Sequence, residues 1–423
     1  MPFYPSTHVP IPNWKRTLYI MFLAQLMAMV GFSVMFPFLP LYVESLGATT
    51  SLSVEFLAGL AYSGQAFTMA IASPFWGALA DRHGRKLMVE RAMFGGAVIM
   101  LLMAFVQSAE QLVLLRAIQG LITGTIGAAN ALVAAAVPRR DTGYAMGLLQ
   151  VGMGAGLAFG PLIGGAVADT IGYYAAFYLT SALLVAAGVL VALGVHEDFE
   201  PSETVAGVGI TFIAEWRHVL AAPGVITSYG LRFMSQLGRM IILPVVPLFV
   251  QSLLSNTARV NTFTGLIVGA ASVTATVSAI YLGRLGDRVG HRRVLIISAA
   301  MAALFYLPQS LVTRGWQLLL LQALAGVCLG GIVPAISALL ARYIQAGEEG
   351  AAYGLDNSIT SVARAVAPLL GAAVAVWFGL RATFAVTAFI YLMAGAVAAL
   401  TLESARSAKP APLQRMKHYL RKG

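Results

Sequence analysis

Gly77-Ala-Leu-Ala-Asp81-Arg82-His83-Gly84-Arg85-Lys86 lies between two long apolar stretches. Its order of glycine, aspartate and arginine returns 206 residues later in Gly283-Arg-Leu-Gly-Asp287-Arg288-Val-Gly290-His-Arg-Arg293. Glycine tolerates the backbone of a sharp turn, and basic residues gather in the loops on the cytoplasmic side of a membrane. Each stretch therefore reads as a short loop joining two membrane spans. Outward from these loops, apolar segments recur at about 18–43, 54–79, 87–107, 111–137, 143–168, 172–195, 225–252, 261–283, 294–313, 316–341, 350–377 and 381–402. Twelve spans in an all-α integral membrane protein follow. The first lacks a clear small-residue cleavage site and reads as a retained span.

The repeat extends well beyond the two loops. Pro37 and Pro40 match Pro244 and Pro247 at an offset of 207, Gly120 matches Gly326 at 206, and Pro161 and Gly164 match Pro368 and Gly371 at 207. Gly172, Phe177 and Thr180 match Gly379, Phe384 and Thr387, again at 207. One offset held across six spans predicts two pseudo-symmetric six-helix halves, residues 1–195 and 223–402. Between them, 196–222 is polar at first (Glu197, Asp198, Glu200, Glu203), then amphipathic through Ile210, Phe212, Ile213, Trp216, Val219 and Leu220. That pattern suits a cytoplasmic linker with a helix in the membrane interface, or else a solvated connector. Residues 403–423 form a basic tail suited to anionic lipid headgroups.

Composition excludes other classes. Of 423 residues 59% are hydrophobic and only 10% charged, against roughly 25% charged in soluble domains. With the N-terminus cytoplasmic, 20 of the 27 Lys and Arg fall on the inner side, three (Arg259, Arg314, Arg381) outside and four (Arg116, Arg232, Arg239, Arg364) within spans. The net charge of +10 therefore orients the chain, with both termini in the cytoplasm, and does not signal nucleic acid. No Gly-Lys pair exists to build a nucleotide-cradling loop, and Cys328 is the only cysteine. Neither a cofactor, a metal nor an enzymatic activity is expected.

These motifs resemble those of the major facilitator superfamily. The loop Gly77–Lys86 looks like its signature loop, and Arg116-Ala-Ile-Gln-Gly120 like the motif bearing its intramembrane arginine. Gly156-Leu-Ala-Phe-Gly160-Pro161-Leu-Ile-Gly164-Gly165 is similar to the motif associated with its exporters, and Pro37-Phe-Leu-Pro40-Leu-Tyr42 fits the end of span 1 in twelve-span drug:proton antiporters. The resemblance implies a multi-pass protein of a bacterial inner membrane, a monomer that exports small organic molecules against protons by alternating access. A siderophore or metabolite exporter or importer on the same fold, and a non-transporting sensor or scaffold, are the competing readings. It also implies gating roles for Gly77, Asp81, Arg82, Gly84 and Arg85, mirrored by Gly283, Asp287 and Arg288.

Charges within spans are costly and mark function. Arg232, Gln236 and Arg239 share one face of span 7, and Arg364 lies halfway along span 11. Gln25, Asn130, Gln150 and Asn357 add amides suited equally to interhelical bonds or to ligand contact. All six histidines lie in loops or tails. Asp356 is thus the leading proton carrier, with Glu44 and Glu55 weaker candidates at the outer rim, and a structural partner for an arginine is its alternative role. Arg116 either joins the coupling or snorkels to the interface. Gly156, Gly160, Pro161 and Gly164 make a stripe for close packing or a hinge. Four arginines against one aspartate predict anionic or zwitterionic substrates over cations.

Overall fold

The computed structural model describes residues 13–197, 224–255, 257–343 and 349–402, and among them forms fifteen α-helices and no strand. In the first half these are α1 (Trp14–Val34), α2 (Leu39–Leu46), α3 (Val54–His83), α4 (Arg85–Met103), α5 (Ala109–Ile122), α6 (Thr125–Ala136), α7 (Thr142–Thr170) and α8 (Tyr173–Gly194). In the second they are α9 (Val225–Ile241), α10 (Val246–Leu253), α11 (Val260–Val289), α12 (His291–Tyr306), α13 (Gly315–Tyr343), α14 (Glu349–Phe378) and α15 (Leu380–Thr401). Because α1–α2, α5–α6 and α9–α10 each continue one crossing, the described residues make twelve.

The breaks have local causes. Pro37 and Pro40 cannot donate to an α-helical ladder, and the chain turns through residues 35–38; Pro244 and Pro247 do the same through 242–245. The span-4 break at Gly124, whose φ is 151°, is not mirrored. Ten helical stretches are long and apolar enough to cross a bilayer by length and composition. Helices α3 and α4 are more polar: Ser63, Gln65 and Thr68 dilute α3, while Arg85, Lys86, Glu90 and Arg91 crowd the first turns of α4.

The duplication read in the sequence is present in the packing. Gly84 and Gly290, with φ of 95° and 98°, turn the chain from α3 into α4 and from α11 into α12. A side chain at Gly164 would collide with the Val34 carbonyl, and one at Gly371 with the Ile241 carbonyl. Thr68 donates to the Ala117 carbonyl at 2.7 Å beside Gly120, and Thr274 to the Ala323 carbonyl at 2.8 Å beside Gly326. Small residues let helices approach closely where lipid supplies no hydrophobic drive. The same crossings therefore recur at the sequence offset.

Two apolar clusters result. One is built wholly from residues between Leu18 and Val195, the other from residues between Val225 and Leu402 together with Leu41. The chain enters α1 and leaves α15 on one face of the bundle, called the terminal face below; the turns at Gly47, Gly172 and Gly379 lie on the opposite face.

Glu197, read from sequence as part of the linker, belongs to the first half. Its carboxylate accepts from the backbone N–H of Arg85 at 3.0 Å and of Lys86 at 2.7 Å, satisfying donors at the start of α4. Glu197→Ala is expected to cost about 1 kcal/mol, the usual worth of such a cap, seen as a lowered unfolding midpoint in detergent. The amphipathic segment and the basic tail lie outside the described residues.

Candidate functional site

Site geometry begins on α9, where Arg232, Gln236 and Arg239 fall on one face. The Arg232 Nη2 donates to Oδ2 of Asp356 on α14 at 3.1 Å, and Nε lies 3.0 Å from Oδ1. That second contact is short but misaligned, so Nε and Oδ1, both shielded from solvent, are left without a proper hydrogen bond. Arg364, two turns beyond Asp356 on α14, interacts electrostatically with Arg239, Arg232 and Asp356. The side chain of Tyr229 approaches Asp356 and donates to the Ala352 carbonyl at 2.9 Å. Tyr306 and Tyr391 stack with centroids 5.6 Å apart near Arg239, and the Tyr391 hydroxyl donates to the Ser235 carbonyl at 3.2 Å. This group thus brings together one carboxylate and three arginines, with Tyr306 and Tyr391 buried in the core behind Arg239.

Arg116 stands apart from this group. It is 2% exposed, so it does not snorkel to the interface. Its guanidinium donates to the Gln119 side chain at 2.8 Å, to the Met35 sulfur at 3.0 Å and to the Ala61 carbonyl at 3.3 Å, and lies over the Tyr62 ring. The sequence count of four intramembrane arginines against one aspartate therefore reduces, at this cluster, to three against one.

The amides divide. Gln25 is 1% exposed and neither of its amide atoms has a partner. It occupies the position equivalent to Arg232 at the 207 offset, while Leu149 stands where the second half has Asp356. The first half thus carries no matching ion pair. Asn130 and Gln236 are half-buried, and Gln150 and Asn357 are exposed.

The halves meet along two seams, α7 against α11 and α3 against α14. A side chain at Gly165 would strike the backbone of Asn261, and one at Gly265 the carbonyl of Pro161. At Gly59 it would meet Pro368 and Ala372. At the opposite face the Asp169 carboxylate accepts from the side-chain amide of Asn261 at 2.7 Å and the backbone N–H of Thr262 at 2.6 Å, bridging α7 to the start of α11. Toward the terminal face, an added side chain at Gly77, Gly143 or Gly147 would meet nothing within 4 Å. The contacts of Asp169, Gly165, Gly265 and Gly59 join the halves toward the opposite face.

Gly152, Gly156, Gly160 and Gly164 all turn to α1, where Phe22, Met29, Ser33 and Val34 fill the space, and Ser33 donates to the Gly156 carbonyl at 2.8 Å. Pro161 sits inside unbroken α7. In the loops, Arg85 donates to the Ala131 carbonyl at 3.3 Å, Arg82 and Arg288 are exposed, and Asp287 pairs with His291 at 3.2 Å. A side chain added at Gly283 would meet Pro334 only at 4.0 Å. The side chain of Asp81 lies outside the described residues.

Sequence reading missed Asp169, Tyr229, Tyr306 and Tyr391. The tyrosines fall in apolar runs and read as span filler. Asp169 sits three residues before the repeated turn glycine Gly172 and reads as a loop residue.

Comparison with known proteins follows the same lines. The family model of the Major Facilitator Superfamily matches residues 21–232 and 228–422. Multidrug resistance protein MdtG of Enterobacter lignolyticus (strain SCF1) is 37% identical over 398 residues, 94% of each chain. Its namesake in Serratia proteamaculans (strain 568) is 38% identical over 384 residues, 90% of this chain and 92% of that one. Among solved structures, a bacterial homolog of the human lysosomal transporter Spinster, in an inward-facing and unoccupied conformation, superposes with a TM-score of 0.77 at 14% identity, over 92% of this chain and 97% of that one. The chain belongs to the major facilitator superfamily and, within it, to the family of the multidrug resistance proteins MdtG.

Proposed function

We propose that this transporter exports small organic molecules from the cytoplasm in exchange for protons, and that anionic or zwitterionic compounds are its preferred substrates. The observation that carries the reading is Asp356, ion-paired to Arg232 in a cluster that holds two further arginines. Such a field attracts negative groups and repels lipophilic cations. With the terminal face cytoplasmic, as the basic loops favour, the contacts of Asp169, Gly165 and Gly59 close the outer side. Alternation then consists of the halves 1–195 and 223–402 rocking about the site, the usual motion of transporters built from repeats. The repeated loops hold each half in register, Arg116 braces the first half from within, and lipid surrounds the whole.

Proton binding changes this balance because a neutral carboxylic acid no longer holds Arg232 as an ion pair. A proton arriving from outside releases Arg232; its loss to the cytoplasm restores the pair. A ligand shifts a conformational equilibrium only by binding its two states differently, and the pair supplies that difference. Inverted vesicles containing the protein, energised so that the lumen is acid, test it: each transported organic substrate is expected to release lumenal protons on addition. Proton uptake with the substrate, or cationic dyes carried as well as any anion or zwitterion, would overturn the proposal.

A further inference from the structure

Charge bookkeeping at the Arg232–Asp356 pair separates the two substrate classes. A purely anionic molecule that draws Arg232 away leaves Asp356 as a carboxylate without its partner, and such a group recovers by taking up a proton. Substrate and proton then bind together, which is the wrong sign for exchange. A purely cationic molecule competes with the proton, as exchange requires, but displaces Arg232 and leaves it beside Arg239 and Arg364. Only a molecule with both charges compensates each group it separates.

We infer that the transported substrates are zwitterions that insert into the Arg232–Asp356 pair, the anionic group taking Arg232 and the cationic group taking Asp356. The inference rests on the proton-exchange reading above and names the substrate class for it. The pair is built for such an insertion. It is bridged by one proper hydrogen bond at 3.1 Å, while Nε and Oδ1 lie 3.0 Å apart with their hydrogen-bonding capacity unused. Arg364 and Arg239 reinforce the anionic end, and Tyr306 and Tyr391, buried in the core of the second half, pack near Arg239 behind it. The groups facing Asp356 are Arg232 and Tyr229 from α9 and Arg364 from its own helix; among the described residues α3 and α15 present no charged side chain in ion-pair contact with it. Because the substrate's cation and a proton contend for one carboxylate, zwitterion binding weakens as the pH falls.

The test uses the purified full chain in lipid nanodiscs with three forms of one scaffold: an aryl-piperazine carboxylic acid (zwitterion), its ethyl ester (cation) and its N-acetyl derivative (anion). Calorimetry at pH 7.5 is expected to give the zwitterion at least about tenfold tighter binding than either other form, with affinity falling on acidification. Asp356→Asn removes the stranded carboxylate and is expected to shift preference about tenfold toward the anion; Arg232→Gln shifts it toward the cation. Equal or tighter binding of the ester or acetyl form by the unaltered protein, no binding of the zwitterion, or unchanged preference in both variants would overturn the inference. Proton exchange driven by the ester or acetyl form in vesicles would overturn it while leaving the exchange reading standing.

Discussion

Asp356→Asn is expected to abolish energised accumulation while leaving folded protein in the membrane. A fixed neutral amide cannot exchange a proton between the two faces, and it cannot form the ion pair with Arg232 seen at 3.0 Å. One charge moving through 100 mV is worth about 2.3 kcal/mol, which corresponds to roughly fifty-fold accumulation. Loss of coupling removes that factor. Transport down a substrate gradient, measured in the same proteoliposomes, should survive, because the binding arginines remain. Arg116→Gln offers the contrast: Arg116 is bonded to Gln119, Met35 and Ala61 within its own half, so its replacement lowers thermal stability more than it lowers the accumulation ratio.

Neighbouring glycines on α7 give the second large effect. Gly164 lies against the Val34 carbonyl of α1, inside one half; Gly165 lies against Asn261 of α11, in the other half. Overpacking a tight contact costs about 1–3 kcal/mol, occasionally more. Gly164→Val is therefore expected to reduce the yield of folded protein. Gly165→Val should spare folding, because the halves can part, but prevent closure at the opposite face and abolish transport. Size-exclusion profiles set beside transport rates distinguish the two, and equal loss of folded protein in both variants would contradict the assignment of Gly165 to the seam.

Much of this architecture was legible in the sequence because membrane spans are written in runs of about 20 apolar residues and because the duplication repeats its prolines and glycines. The offset pairs Gly84 with Gly290 and Gly164 with Gly371, and the packing contacts recur with them. What composition could not reveal is direction. Arg116 and Arg232 look alike in a string, yet one is sealed against neutral groups and the other meets a carboxylate across 124 residues of chain. The closing contacts of Asp169 were hidden for a related reason: a polar residue at a span end reads as loop until its partners, Asn261 and Thr262, come from the other half. The break at Gly124 has no proline to announce it.

The central claim is that the protonation of Asp356 decides which face is open. Double electron–electron resonance on the full chain in nanodiscs, with the lone Cys328 replaced by alanine, tests it most directly. Labels at Tyr144 and Tyr281 report the terminal face, and labels at Ile171 and Arg259 the opposite face; these side chains are exposed. Because the protonated form is the one that carries its proton to the cytoplasmic side, acidification is predicted to lengthen the first distance and shorten the second, and Asp356→Asn is predicted to hold both distances fixed on acidification. Distances that ignore pH in the unaltered carboxylate protein, or that still respond in Asp356→Asn, would contradict the account.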